Sequence, residues 1–236
     1  MNATLNRRII VPLDVSTTEE ALHIVQRLKG RVGLFKVGLQ LFCHEGPEVV
    51  RRIVGEKERV FLDLKHHDIP NTVARAVAAT TKLGVSMVDV HLAGGEKMLR
   101  AAVEALGPPD TPGRPRLLGI TVLTSLDQQD LAAVGVRGDL LEQVVDLARL
   151  GLKAGLDGVV ASPHEIGPIK AACGRSFVVV TPGIRPAGSA AGDQKRFMTP
   201  AAAVQAGADY LVIGRPILEA PDPAAAVDAI AQEMSG

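Results

Sequence analysis

The chain has 236 residues, 47% of them hydrophobic, and its 26 Lys and Arg residues balance 26 Asp and Glu residues. That composition can fill a globular core, and the absence of net charge excludes a general electrostatic attraction to nucleic acid or to an anionic membrane. With no Trp and one Tyr, the chain also lacks the stacking platforms of single-strand nucleic-acid binders, although a free nucleotide stays possible as a ligand.

The sequence carries no sign of export or membrane insertion. Residues 1–8 contain no apolar segment of the signal-peptide type, and no uncharged apolar run is long enough to cross a bilayer. Cys43 and Cys173 are far apart in the sequence and have no metal-like spacing, which favours two reduced, buried thiols. We therefore expect a cytoplasmic protein without a membrane partner.

Apolar runs of strand length alternate with helical patterns along the whole chain. The first helix is predicted to begin in the Ser- and Thr-rich segment 16–18, which Glu19 and Glu20 follow, and to end at Gly30. Later helices are indicated near 49–54, 73–84, 98–106 and 140–155, with a short helical excursion over 125–135. The predicted strands are 8–14, 34–38, 60–62, 86–92, 117–124, 158–162, 177–181 and 210–214.

Eight strand and helix units in roughly 250 residues predict a closed (β/α)₈ barrel, the TIM barrel fold, formed by a single domain over 1–236. An open doubly wound α/β sheet is the alternative. In the barrel, the carboxyl ends of all strands face one mouth, so polar residues that the sequence scatters are expected to converge there. These residues are Asp14, Lys36, Asp63, Lys65, His91, Thr124, Pro182 and Arg215.

The stretch 63–72, Asp-Leu-Lys-His-His-Asp-Ile-Pro-Asn-Thr, places charge directly after a buried strand. Because strand side chains alternate between faces, Asp63 and Lys65 should point to the same side, and Asp68 should follow in the next turn. With Lys36 from the second strand, they would alternate in sign and hold Lys65 protonated as an acid. An isolated salt bridge at a strand end is the simpler interpretation.

Other polar residues at the predicted mouth suggest a phosphorylated ligand. Asp14 could accept hydrogen bonds from ribose hydroxyls or cap the next helix. Gly214 and Arg215 follow the last strand and could bind a phosphate, although such a pair also occurs in surface turns. Residues 181–194 are rich in small residues and are typical of a mobile lid. The lysines in the pocket would repel a cation, so we expect no metal.

Several stretches of the sequence resemble those of a known family. The stretch 63–72 resembles the D-x-K-x-x-D-I-P-N-T signature of orotidine 5′-phosphate decarboxylases. Residues 11–14, 35–38, 123–125, 181–185, 192–196 and 213–216 resemble the bacterial members, in the family's order along the whole chain. His66 stands where many bacterial members carry an apolar residue, and no role is attached to it.

The resemblance implies a homodimeric barrel that converts orotidine 5′-monophosphate to UMP and CO₂ without a metal or an organic cofactor. It implies that Lys65 donates a proton to C6 and that Asp63 lies beside the departing carboxylate. Lys36 would hold Asp63 and a ribose hydroxyl, and Asp14 would bind the ribose.

The same resemblance implies the remaining binding residues. Asp68, Ile69 and Thr72 would reach the active site of the other subunit. Thr124 or the adjacent Ser125 would contact the pyrimidine near Pro182. The residues that would bind the phosphate and close the lid are Arg185, Gln194, Gly214 and Arg215.

Two other functions remain open from the residues alone. A related sugar-phosphate decarboxylase or synthase would share the D-x-K-x-x-D core but use Mg²⁺ to stabilise an enediolate. Lys36 favours the metal-free reaction, because those relatives carry an acidic metal ligand in the region of the second strand. A non-catalytic barrel that senses a phosphorylated nucleotide is the alternative outside enzymes, but such a protein needs no proton donor.

Overall fold

A computed structural model describes residues 3–186 and 197–235 of the chain. The strands are β1 (Ile9–Pro12), β2 (Leu34–Gly38), β3 (Val60–His66), β4 (Met87–His91), β5 (Arg116–Ile120), β6 (Gly158–Val160), β7 (Val178–Thr181) and β8 (Tyr210–Val212). The helices are α1 (Ala3–Asn6), α2 (Thr18–Leu28), α3 (Leu39–Glu45), α4 (Pro47–Gly55), α5 (Pro70–Thr81), α6 (Gly95–Leu106), α7 (Gln128–Ala133), α8 (Leu140–Ala154), α9 (Ile166–Cys173), α10 (Pro200–Ala206), α11 (Arg215–Leu218) and α12 (Pro223–Glu233). Short 3₁₀ turns at Leu92–Gly94 and Pro163–Glu165 precede α6 and α9.

The strands close into a barrel in sequence order. Each strand pairs in parallel with the next, and β1 pairs with β8 to complete the ring. Parallel strands covered by helices are buried on both faces, which explains why their sequences are continuous apolar runs. The predicted (β/α)₈ barrel is confirmed, and the open doubly wound sheet is wrong.

Two apolar clusters hold the barrel together. The smaller one contains strand residues only and fills the interior; its buried members are Ile10, Leu34, Phe61, Met87, Leu118 and Val180. The larger one joins the outer faces of the strands to the surrounding helices. Because the interior is filled by side chains rather than open, a ligand can enter only at an end of the barrel.

Several local predictions are also confirmed. Thr17 caps α2: its side chain accepts a hydrogen bond from the N–H of Glu20, and its backbone N–H donates to the Glu20 carboxylate. The cap of α2 is therefore Thr17 and not Asp14. The excursion predicted over 125–135 contains α7, whose cap is Asp127.

Other local predictions need correction. Strands β1, β5 and β8 end earlier than predicted, so Asp14, Thr124 and Gly214 lie in the loops that follow them. Cys173 is buried as expected, but Cys43 on α3 is exposed, so the expectation of two buried thiols is wrong for Cys43. Within 3–186 and 197–235, none of the helices is both long and apolar enough to cross a membrane.

Candidate active site

The site is built around an irregularity in β3. Leu62 of β3 pairs with Val88 of β4, but the next pair is His66 with Val90. Strand β3 therefore advances four residues while β4 advances two. Lys65 lies inside this bulge with φ 51°, in the left-handed region that non-glycine residues rarely adopt. Regular strand alternation, from which we placed Asp63 and Lys65 on one side, is thus not what brings them together.

Three charged side chains nevertheless meet at the carboxyl end of β2 and β3. Lys65 Nζ lies 2.5 Å from Asp63 Oδ1, and Lys36 Nζ lies 3.2 Å from Asp63 Oδ2. Lys36 Nζ is also 3.7 Å from Asp14 Oδ1. Asp63 is only 8% exposed, so water screens these interactions weakly. The cluster of Lys36, Asp63 and Lys65 is called the charged cluster below.

The charged cluster keeps Asp63 ionised. Burial alone would raise the pKa of this carboxyl, because a low-dielectric environment disfavours its charge. The Lys36 ammonium, a hydrogen bond with Asp89 and the Lys65 ammonium outweigh burial and lower the pKa of Asp63 to about 2. At neutral pH the site therefore presents a buried carboxylate between two ammonium groups.

Asp89 is a member of the site that the sequence analysis missed. It lies in the middle of β4, is fully buried, and accepts a hydrogen bond from the backbone N–H of Lys65 at 2.8 Å. Burial and the neighbouring Asp63 carboxylate raise the pKa of Asp89 well above its usual range. An acid between Val88 and Val90 in an apolar strand was the available signal.

A cavity of about 180 Å³ opens beside the charged cluster. Lys36, Asp63 and Lys65 line one side of it, and Thr124 and Pro182 line another. The rest of the lining is apolar and comes from β3, from β5 and the loop after it, and from the ends of β6 and β8. A flat, apolar ring with a polar edge would suit such a cavity.

Ser125, the alternative to Thr124, is exposed in the loop after β5. Thr124 is half-buried and lines the cavity, so it is the better placed of the two to contact a ligand there.

The structure does not bring the segment after β3 into the same site. Asp68 is exposed, and its Oδ1 accepts a hydrogen bond from the N–H of Ile69 at 2.6 Å. Ile69 is 65% exposed, and Thr72 at the start of α5 is also exposed. In a single chain, the carboxylate that pairs with Lys65 is therefore Asp63, and Asp68 is not part of the alternating charges that the sequence predicted.

The predicted phosphate residues lie at the carboxyl ends of β7 and β8. Arg185 is 8% exposed; its Nη1 donates to the carbonyl of Ile184 at 3.1 Å, and its backbone N–H donates to the carbonyl of Met198 at 3.0 Å. Arg215 is exposed at the start of α11. Gln194 lies outside the described residues.

Gly214, which precedes Arg215, is constrained by packing. A Cβ at this position would lie 3.0 Å from Pro12 Cγ, so a larger residue would push the loop after β8 away from β1. The absence of a side chain also allows a ligand to approach the backbone closely.

Three histidines, His66, His67 and His91, lie at or just after the carboxyl ends of β3 and β4. His91 ends β4, and its ring centroid lies 5.3 Å from that of His67. Burial, His67 and Lys65 lower the pKa of His91, and burial lowers the pKa of His66. Both rings are therefore neutral at pH 7. Over the two described ranges, no group of three or more His, Cys, Asp or Glu side chains is arranged to hold a metal ion.

Comparison with known proteins decides the family. The model of the orotidine 5′-phosphate decarboxylase / HUMPS family matches residues 7–230. The chain belongs to this family. Family members named orotidine 5′-phosphate decarboxylase include those of Moorella thermoacetica, 53% identical over 96% of this chain and 92% of the relative, and Syntrophotalea carbinolica, 50% identical over 97% and 95%.

Solved structures agree with the family assignment. The crystal structure of orotidine 5′-phosphate decarboxylase from Lactobacillus acidophilus is similar with a TM-score of 0.86 and 37% identity, covering 98% of this chain and 100% of that one. An uncharacterised conserved protein from Geobacillus kaustophilus gives a TM-score of 0.85 at 38% identity, covering 96% and 99%.

Proposed function

We propose that this chain decarboxylates orotidine 5′-monophosphate to UMP and CO₂, the last step of de novo UMP synthesis, and that it uses neither a metal nor an organic cofactor. The observation that carries the proposal is the charged cluster, in which a buried carboxylate lies between two ammonium groups beside the cavity. Membership of the orotidine 5′-phosphate decarboxylase / HUMPS family supports the same reaction.

The charged cluster suits the chemistry of this reaction. When the bond between C6 and the carboxylate breaks, CO₂ leaves and the electron pair stays on C6, where no cofactor delocalises it. The fixed ammonium of Lys65 stabilises the developing carbanion and donates its proton to C6. Asp63, kept ionised by its neighbours, lies beside the substrate carboxylate and disfavours the charged ground state.

The residues around the cluster fit a nucleoside monophosphate. Lys36 lies between Asp63 and Asp14, so a ribose hydroxyl could bind both Lys36 and Asp14. The apolar wall would accept the pyrimidine ring, and the hydroxyl of Thr124 would contact its polar edge.

We assign the phosphate to the far end of the site. Arg185, Gly214 and Arg215 would bind it together with Gln194, and 181–194, of which 187–194 lie outside the described residues, would close over it as a lid. Binding energy from the distant phosphate would then exclude water from the reacting base.

We further propose that the whole chain is one catalytic domain and that two copies form a homodimer in which Asp68, Ile69 and Thr72 complete the partner's site. Support comes from exposure: a large apolar side chain, Ile69, lies open beside the Asp68 carboxylate. We place the protein in the cytoplasm, as its two free cysteine thiols suggest.

The direct test is turnover of orotidine 5′-monophosphate by protein treated with EDTA, followed by the loss of ultraviolet absorbance as the conjugated carboxylate leaves. We expect full activity and UMP as the product. Activity that appears only with added Mg²⁺ and a phosphorylated sugar acid would instead support the related sugar-phosphate enzymes, and tight nucleotide binding without turnover would support a sensor.

A further inference from the structure

Asp89 is a fully buried carboxyl group that the mechanism above does not use. Its side chain contacts two members of the charged cluster. Oδ1 accepts a hydrogen bond from the backbone N–H of Lys65 at 2.8 Å, and the carboxyl group also hydrogen-bonds to Asp63. Burying a charged carboxylate this completely costs far more than burying a neutral one. The burial of Asp89 therefore indicates a structural or chemical role for this carboxyl group.

The first contact fixes the backbone of Lys65. The bulge of β3 removes Lys65 from the regular hydrogen-bond ladder with β4. The φ of 51° at Lys65 is an unfavourable backbone conformation, so contacts around it must stabilise it. Asp89 Oδ1 replaces the lost ladder partner of the Lys65 N–H. This contact sets the direction in which the Lys65 side chain leaves the strand, and hence the position of Nζ against Asp63.

The second contact requires a proton. Asp89 Oδ2 is buried, and the described residues offer it no N–H or other hydrogen-bond donor. Two ionised carboxylates cannot hydrogen-bond to each other, so one of Asp63 and Asp89 must carry a hydrogen. Asp63 has two ammonium neighbours, whereas Asp89 has none as a direct ion-pair partner within the described ranges. The proton therefore belongs on Asp89, in agreement with the opposite directions of their pKa shifts.

We propose that Asp89 is a positioning residue which, as a neutral carboxylic acid, accepts the Lys65 N–H through Oδ1 and donates its own proton from Oδ2 to the Asp63 carboxylate. In this arrangement one side chain holds both the proton donor and the carboxylate of the reaction in place. The inference deepens the proposed decarboxylase function and rests on it for its catalytic consequence.

The neutral state of Asp89 also sets the charge of the site. With Asp89 protonated, Asp63 is the buried carboxylate that Lys36 and Lys65 face, while Asp14, 3.7 Å from Lys36, is exposed to solvent. An ionised Asp89 would add a second buried negative charge next to Asp63. Val88 and Val90 belong to the outer cluster, so strand alternation directs Asp89, like Met87, toward the barrel interior, where the described charged groups that act on it are Asp63 and Lys65.

The kinetic test compares Asp89→Asn with Asp89→Ala. Asparagine keeps an acceptor for the Lys65 N–H and offers N–H in place of O–H to Asp63, so kcat should stay within about threefold of wild type. Alanine removes both contacts, and the resulting displacement of Lys65 should lower kcat about 100-fold while KM and UMP binding change little. The proposal would be overturned if Asp89→Asn lowered kcat as much as Asp89→Ala does. It would also be overturned if a folded Asp89→Ala variant kept the wild-type kcat.

Asp157→Asn is the matched control. Asp157 also accepts a backbone N–H from the neighbouring strand, that of Leu117 at 2.7 Å, but it pairs with Arg114 at the amino-terminal end of the barrel. The same substitution there should leave kcat unchanged.

A second measurement is independent of turnover and of whether Asp89→Ala folds. The infrared difference spectrum of wild type against Asp89→Asn at pH 7 should contain the C=O stretch of a protonated carboxyl that is present only in wild type. A spectrum that shows an ionised carboxylate instead would refute the neutral Asp89. If wild type shows the protonated band but does not turn over orotidine 5′-monophosphate, the proposed function fails while the protonation of Asp89 stands.

Discussion

Replacing Lys36 with methionine tests the electrostatic balance of the charged cluster. Methionine keeps most of the side-chain volume and removes the ammonium that lies 3.2 Å from Asp63 Oδ2. Asp63 would stay buried at 8% exposure with Lys65 as its remaining cationic neighbour. We expect a higher pKa for Asp63 and a lower free energy of unfolding at pH 7. Burial disfavours the ionised form of Asp63, and without the Lys36 ammonium less of this cost is offset.

The magnitude follows from the pKa of Asp63. Its lowering from 3.8 to about 2 corresponds to roughly 2 kcal/mol of net stabilisation of the folded state. The charge of Lys36 is the largest single effect that lowers this pKa. Loss of Lys36 should therefore cost roughly 2–4 kcal/mol, in line with the breaking of other buried ion pairs.

The assay is urea unfolding at one fixed protein concentration across a range of pH. A carboxyl with a lowered folded-state pKa contributes stability that is present above its unfolded value of 3.8 and is lost as the pH falls toward about 2. The difference between wild type and Lys36→Met should thus be largest near neutral pH and shrink below pH 4. Lys29→Met is the control, since Lys29 pairs with Glu56 at 2.9 Å on the solvated surface.

A cost for Lys36→Met no greater than that for Lys29→Met, or a difference that does not change with pH, would refute the reasoning. Either result would mean that Asp63 does not depend on Lys36 for its charge in the folded state.

Three further substitutions probe the proposed roles directly. Lys65→Ala should lower kcat at least about 10²- to 10⁴-fold while UMP still binds. Lys57 is the control, because it is an exposed lysine that also has a positive φ of 64°, and Lys57→Ala should leave kcat unchanged. Arg215→Ala should raise KM about ten- to a hundredfold through loss of a charge-assisted phosphate contact, whereas Arg175→Ala before β7 should have no effect. Mixing inactive Lys65→Ala and Asp68→Ala subunits should restore activity, because each heterodimer would contain one complete site.

Each of these expectations has a result that contradicts it. Near-normal turnover in Lys65→Ala would remove Lys65 as the proton donor. Unchanged KM and kcat in Arg215→Ala would exclude Arg215 from the phosphate site. If subunit exchange is proven and the mixture of Lys65→Ala and Asp68→Ala stays inactive, the site is not shared between subunits.

The barrel and the meeting of Lys36 with Asp63 could be predicted from the sequence because both depend on local patterns. Apolar runs such as Ile9–Pro12 mark buried parallel strands, and the parallel pairing of β2 with β3 is enough to bring Lys36 and Asp63 together. The capping box of Thr17 and Glu20 is likewise a local feature and appears where the sequence predicted it.

The features that escaped prediction depend on geometry that no local pattern records. The bulge in β3 and the left-handed backbone of Lys65 become visible only when β3 is aligned with β4, and they are what gives Asp89 its contact. The choice between Thr124 and Ser125 depends on how the loop after β5 turns. In the proposed homodimer, the place of Asp68 in a complete site would depend on a second copy of the chain.

The most direct test of the account compares chelator-treated wild type with Lys65→Ala on orotidine 5′-monophosphate, following the loss of ultraviolet absorbance together with the release of CO₂. The account predicts that wild type converts the substrate fully to UMP in EDTA and that Lys65→Ala binds UMP but releases no CO₂. No absorbance change with wild type, or CO₂ release by Lys65→Ala at a comparable rate, would contradict it.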